Sequence, residues 1–273
     1  MRRVLSCAPV AYAALWAAQT VSIKLYVSSH QLHPLRVLAA VAAAELTKLA
    51  AAGLVVGAHT RPMEPRMLVC AMCAVACAAL AYPVLARLGV TQYVPLLGCQ
   101  HLLRLVFVVA AKGSEAATPH ALAAAALGVG AFVTAALHAD RWAAVAAFVQ
   151  SFLTCFAEAL DDVGEARGDL FGATACTAWT AATLALGAAL ADVRQAALVM
   201  VSPTQPYALA AIALMATSSL MRSAAALEVP WPATAAAVEA ALLLAAGARV
   251  LREPPGMRVV VANACAVIAA SVA

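Results

Sequence analysis

Apolar runs of about twenty residues follow one another along nearly the whole chain, and this succession most constrains what it can fold into. A helix crossing the roughly 30 Å hydrocarbon core of a bilayer needs about 20 consecutive apolar residues. Read on that scale, the chain divides into about ten spans: 8–28, 35–57, 67–86, 92–111, 119–138, 142–160, 170–191, 196–220, 229–250 and 256–273. Turn formers and charges collect in the short connections between them: "SSHQLHP", "AHTRPMEPR", "KGSEAATP", "LHADR", "DDVGEARGD" and "LREPP". Lipid offers the backbone no hydrogen-bond partners, so only helices and closed barrels can span it. The strict apolar/polar alternation of a barrel strand is absent, which leaves helices. Residues 1–273 therefore read as one polytopic, all-α integral membrane unit, with nothing left over for a soluble domain. Composition agrees: 65% of residues are apolar and 11% charged, whereas a soluble domain carries roughly 25% charged residues. Such a chain cannot cover a water-facing surface.

With an even number of spans both termini lie on one side. Arginine and lysine divide seven against seven between the two sets of connections, so the positive-inside rule does not choose the side. The first residues, "MRRVLSCAPVAYAALWAAQ", have the arginines, apolar stretch and small residues of a signal peptide. The apolar run nevertheless continues through Ile23 to Val27, and a retained first helix is expected. The eight cysteines are scattered. The tightest group, Cys70, Cys73 and Cys77, falls on one helical face without a nearby histidine, and suits close helix packing better than a four-ligand metal site. No basic tract or basic–aromatic interleaving points to nucleic acid. Neither a metal nor a cofactor is expected.

A weak internal symmetry organises the spans. Aligning Pro95 of "QYVPLLGCQHLLRLVFVVAAKG" with Pro232 of "EVPWPATAAAVEAALLLAAGAR" sets Lys112 opposite Arg249. Ten spans then split into two five-helix repeats, 1–139 and 140–273. Because five is odd, the second repeat is inverted in the membrane. Inverted repeats characterise transporters whose substrate sits near the midplane between the halves.

Six charges fall inside predicted spans: Lys24, Glu45, Lys48, Arg104, Glu158 and Glu239. Each costs roughly 2.5–3.5 kcal/mol at the bilayer centre on insertion scales and so faces a partner or a cavity. Glu45 and Lys48, at i and i+3, can pair on one face. In the first half Lys24, Lys48 and Arg104 outnumber Glu45, a surplus that a phosphorylated ligand would neutralise. Burial of an ion pair between helices, or snorkelling of Lys24 and Arg104 to an interface, are the competing readings. The fourth span is unusually polar around Arg104. Tyr93 suits stacking on a planar ring, and Gln100 and His101 suit hydrogen bonds to a base, sugar or phosphate; helix-to-helix hydrogen bonds would use the same groups. In "SPTQPY" (Ser202–Tyr207) two prolines free backbone carbonyls, as at a broken helix beside a cavity.

These stretches resemble the nucleotide-sugar transporters of the drug/metabolite transporter superfamily. "AELTKLAAAGLVV" is similar to that family's second helix and "ARLGVTQYVPLLGCQHLLRLVFVVAAKG" to its fourth. "FAEALDDVGEARGDLFG" resembles the stretch after the sixth helix, and "REPPGMRVVVANACAVIAASVA" the last loop and helix. The pieces occur in family order over nearly the whole chain. The resemblance implies ten helices and a multi-pass location in Golgi or endoplasmic reticulum membranes with cytosolic termini. It implies alternating-access exchange of a nucleotide sugar for a nucleoside monophosphate, with no enzyme activity and with a homodimer left open. Position by position, Glu45 and Lys48 match the second-helix pair, and Tyr93 matches the nucleotide-contacting tyrosine. Gln100 falls where a substrate-binding lysine is expected, with Arg104 one turn on, and Gln205 matches a glutamine of the eighth helix. Tyr207 and Glu239 complete the expected site with Lys24 and His101. The chain departs from the pattern at Cys77 and Ala78, where asparagines are usual, and near Pro232, where a lysine is missing. Two rivals remain on the residues alone: another exporter of the superfamily, or a membrane scaffold without transport.

Overall fold

A computed structural model describes residues 2–29, 33–57, 64–162, 170–194, 196, 210, 212–214, 216, 217, 233–253 and 255–272. The described residues form helices and contain no strand. They are α1 (Arg2–Ser29), α2 (Pro34–Val56), α3 (Pro65–Arg87), α4 (Val90–Leu96), α5 (Gln100–Lys112), α6 (Pro119–Ala136), α7 (Arg141–Asp162), α8 (Leu170–Ala191), α9 (Ala233–Arg249) and α10 (Met257–Val272). Six stretches are long and apolar enough to cross a membrane: 34–54, 65–87, 90–112, 119–136, 141–160 and 171–191. The eighth span expected over 196–220 falls largely outside the described residues, as do Gln205 and Tyr207.

Local chemistry sets the helix ends. Pro34, Pro65 and Pro119 each open a helix, where a missing N–H costs nothing and φ is already helical. Thr118 caps α6 by accepting the Ala121 N–H at 3.2 Å, and Asp140 accepts that of Ala143 at the start of α7 at 3.0 Å, each satisfying an orphan donor. At the far end of α5, Gly113 takes φ +87° and returns its N–H to the Val109 carbonyl at 2.8 Å; glycine adopts that conformation without a Cβ penalty. Pro95 interrupts the fourth span. α4 ends one residue later, a 3₁₀ turn over Leu97–Cys99 follows, and α5 resumes at Gln100.

The distribution of side chains is that of a protein dissolved in lipid. Trp179 is 67% exposed and Val145 62%, on helices that would turn these faces to hydrocarbon. Glu45, Lys48, Gln150, Ser151 and Asn263 are buried instead. Without a hydrophobic drive between helices, close packing of small residues holds the bundle. At one crossing the fourth span lies directly on α6: a Cβ on Gly98 would meet the Gly128 carbonyl oxygen at 2.7 Å. The interior is correspondingly rich in alanine, with Ala44, Ala52, Ala131, Ala143 and Ala147 fully covered. The broadest helix–helix seams join α2 to α8, α3 to α7, and α6 to α10.

Candidate functional site

The polar residues inside the bundle form four separate constellations. The first sits between α2 and α8. Lys48 Nζ lies 2.9 Å from Glu45 Oε2, and the same oxygen accepts the Thr177 hydroxyl at 2.7 Å. Both charged residues are less than a tenth exposed, so the pair is buried where the Coulomb attraction between its members is strongest.

The second joins α5 to α7. Arg104 meets Glu158 side on, Nε to Oε2 at 2.8 Å and Nη2 to Oε1 at 3.0 Å. This is the bidentate geometry that fits guanidinium to carboxylate best. Phe107, Phe152 and Phe156 pack with one another across the same pair of helices. His101, one turn before Arg104, lies against α6, where its Cδ2 stands 3.1 Å from the place a Cβ on Gly128 would occupy. Gln100 is half-buried, and its backbone carbonyl accepts the Cys155 thiol at 3.5 Å.

The third closes one end of the bundle. Lys24 Nζ reaches the carbonyls of Leu85 at 3.0 Å and Leu88 at 2.8 Å, and Glu253 Oε1 at 3.4 Å. Glu253 Oε2 in turn accepts the Val90 N–H at 3.2 Å. An ammonium at the C-terminus of α3 and a carboxylate at the N-terminus of α4 each complement the local helix dipole. Together they tie α1, the α3–α4 corner and the α9–α10 connection. Gly89 makes room: a Cβ there would stand 2.8 Å from Glu253 Oε2.

The fourth lies deeper, where α1, α3, α4 and α7 meet. Gln150 Nε2 donates to the Tyr93 hydroxyl at 2.7 Å and to the Cys77 carbonyl at 3.2 Å. Trp16 stacks on Tyr93 with ring centroids 5.9 Å apart and planes 11° off parallel. Cys77 Sγ lies 3.4 Å from both the Gln150 carbonyl and Thr154 Oγ1. Glu239 on α9 acts on Tyr93 electrostatically. Among the described residues, Gln150 Oε1 has no hydrogen-bond partner.

This arrangement redistributes the residues expected to share one site. Glu45 and Lys48 stay together but lie on the α2–α8 seam. Tyr93 and Glu239 belong to the deep cluster, Lys24 to the end of the bundle, and Gln100, His101 and Arg104 to the α5 flank. The surplus of cations counted in the first half is made up across the bundle: Glu253 and Glu158, both from the second half, meet Lys24 and Arg104. Trp16 and Gln150 are the members that sequence reasoning missed. A lone glutamine in the sixth span, "AAFVQSFL", was a legible signal, because an uncharged amide in such a run needs partners as a charge does.

No family model and no curated protein matches the chain. A solved structure described only as "Crystal structure of protein" superposes with a TM-score of 0.63 at 16% identity, over 98% of this chain and 96% of that one. The likeness extends over the whole length and shows a shared fold.

Proposed function

We propose that the chain is a carrier of the nucleotide-sugar class, exchanging a nucleotide sugar for a nucleoside monophosphate across an endomembrane by alternating access. One observation carries the reading: aromatic and amide groups from both halves converge in the interior, at Trp16, Tyr93, Gln150 and Glu239, and leave a buried acceptor unmatched among the described residues. Buried polar groups are normally satisfied, and a site that takes up a polar guest is the kind of place where one is left open.

The helix pairings support an inverted-repeat design of ten spans in two fives. In that count α7, α8, α9 and α10 are the sixth, seventh, ninth and tenth spans. The α2–α8 and α6–α10 seams then join second to seventh and fifth to tenth, partners that a two-fold between the halves exchanges with each other. The α1–α9 contact maps onto the α5–α7 contact under the same exchange. The knot of Lys24, Glu253 and the α3–α4 corner crosses the two halves at one end, where a rocking carrier needs a closure that can be broken. Transport asks for no covalent chemistry. The order of family-like stretches supports a location for such a carrier in Golgi or endoplasmic reticulum membranes.

A second reading is favoured by the ion pairs. Lys24, Lys48 and Arg104 each face a carboxylate, which suits a carrier whose cargo has no phosphate. Purified protein in proteoliposomes preloaded with UMP, CMP or GMP separates the two. Uptake of the matching nucleotide sugar that depends on the preloaded monophosphate supports the first reading. Uptake of unphosphorylated metabolites alone replaces it with the second. Ligand-dependent melting gives a check independent of flux, since a ligand at 100 times its dissociation constant adds about 2.7 kcal/mol.

A further inference from the structure

We propose that Tyr93 and Gln150 form a recognition edge for the nucleobase of the cargo, with the Tyr93 hydroxyl as donor and Gln150 Oε1 as acceptor; the proposal rests on the carrier reading above.

The hydrogen bonds of Gln150 fix which way its amide faces. Nε2 has two hydrogens, and two acceptors lie within reach: the Cys77 carbonyl at 3.2 Å and the Tyr93 oxygen at 2.7 Å. Turning the amide over would set its oxygen against the Cys77 carbonyl, and a carbonyl oxygen can only accept. The nitrogen therefore stays where it is, with both donors committed. Its oxygen is left buried without a partner among the described residues, in a side chain belonging to a residue only 8% exposed.

Tyr93 completes the edge. Its oxygen accepts from Gln150, so its own proton is free to point to a further acceptor. Trp16 stacked on the ring holds the phenol plane, so the hydroxyl is presented in a fixed direction. A donor and an acceptor on directly bonded partners match a planar ligand that carries an acceptor beside an N–H. That pattern is the hydrogen-bonding edge of a nucleobase: a ring or exocyclic acceptor next to an imide or amino hydrogen. The edge is uncharged, so it reads the base whatever neutralises the phosphates. It lies on α4 and α7, which fall in opposite halves, so a ligand seated there bridges the parts that move relative to each other.

The test uses the full chain purified in detergent and titrated by thermal shift with UMP, CMP, GMP and AMP. Beside each runs its edge-methylated form: 3-methyl-UMP, N4,N4-dimethyl-CMP, 1-methyl-GMP and N6,N6-dimethyl-AMP, with 5-methyl-UMP as a control methylated off the edge. At least one parent nucleotide is expected to stabilise the protein. Its edge-methylated form should bind roughly 5- to 150-fold more weakly, the range for leaving one buried partner unmatched. Gln150→Met should weaken the parent and erase its advantage over the methylated form. Equal binding of parent and methylated form, or full parent affinity in Gln150→Met, overturns the edge and assigns Gln150 Oε1 to a buried water, with the carrier reading intact. If no nucleotide shifts the melting temperature, the edge and the carrier reading fall together. Should Gln150→Met not fold, the wild-type comparison decides alone.

Discussion

The seam between α2 and α8 and the junction of α4 with α7 both bury polar side chains deep in the bundle, and they do so in opposite ways. On the seam every strong valence closes locally: Lys48 on Glu45, Thr177 on Glu45, and Thr177 again on the Thr174 carbonyl at 3.0 Å. At the junction the amide nitrogen of Gln150 is fully used and its oxygen, among the described residues, is not. The seam holds the full charges, yet the junction holds the open valence. Charge inside a membrane protein thus marks a place where partners are needed, and the partner can be a neighbouring helix. An unmatched acceptor beside a fixed donor is the more specific sign of a guest.

Variants can break this contrast at either end. The largest effect is expected from Glu45→Ala, which strands a buried ammonium; removing one member of such a pair typically costs about 3–5 kcal/mol. Chemical denaturation in detergent would measure it. Replacing both members by apolar side chains of similar size, Glu45→Leu with Lys48→Met, should recover most of that loss, because a buried pair and a well-packed apolar pair are often equivalent. If the double variant folds as stably as wild type but carries no substrate, the seam belongs to the transport site and the contrast fails.

A smaller loss, about 1–3 kcal/mol of overpacking, is expected from Gly98→Ala, whose Cβ would stand 2.7 Å from the Gly128 carbonyl. The fourth span must then lift off α6, which disturbs the junction from behind. The melting temperature should fall, and exchange should slow with it; unchanged melting would mean the crossing has slack. The smallest stability effect is expected from Tyr93→Phe. It deletes one acceptor of Gln150 while leaving the Cys77 carbonyl in place, at a net cost of about 1 kcal/mol. Exchange in proteoliposomes should nevertheless drop far more than the fold does. If the Tyr93→Phe variant transports like wild type, the junction is reduced to packing.

Much of the helical framework could be read from the chain itself. The expected spans at 35–57, 67–86, 119–138, 142–160 and 170–191 lie within a few residues of α2, α3, α6, α7 and α8, because apolar run length and Pro or Thr at the helix starts are local signals. The break in the fourth span was carried by Pro95, although the sequence reading treated 92–111 as one segment. The candidate site was legible only in part. Tyr93 stood out as an aromatic hydroxyl in a polar stretch. Gln150 did not, because its significance comes from meeting Tyr93 from a helix 57 residues away.

The amino-acid sequence by itself determined that this chain is a bundle of apolar helices and where most of them begin and end, since lipid demands that each backbone satisfy itself within its own helix. Only the tertiary structure decided which charges were already answered. Lys24 and Arg104 meet carboxylates 229 and 54 positions along the chain, Glu253 and Glu158, and electrostatics in a low-dielectric interior depends on distance in space, of which a count of charges along the chain contains nothing.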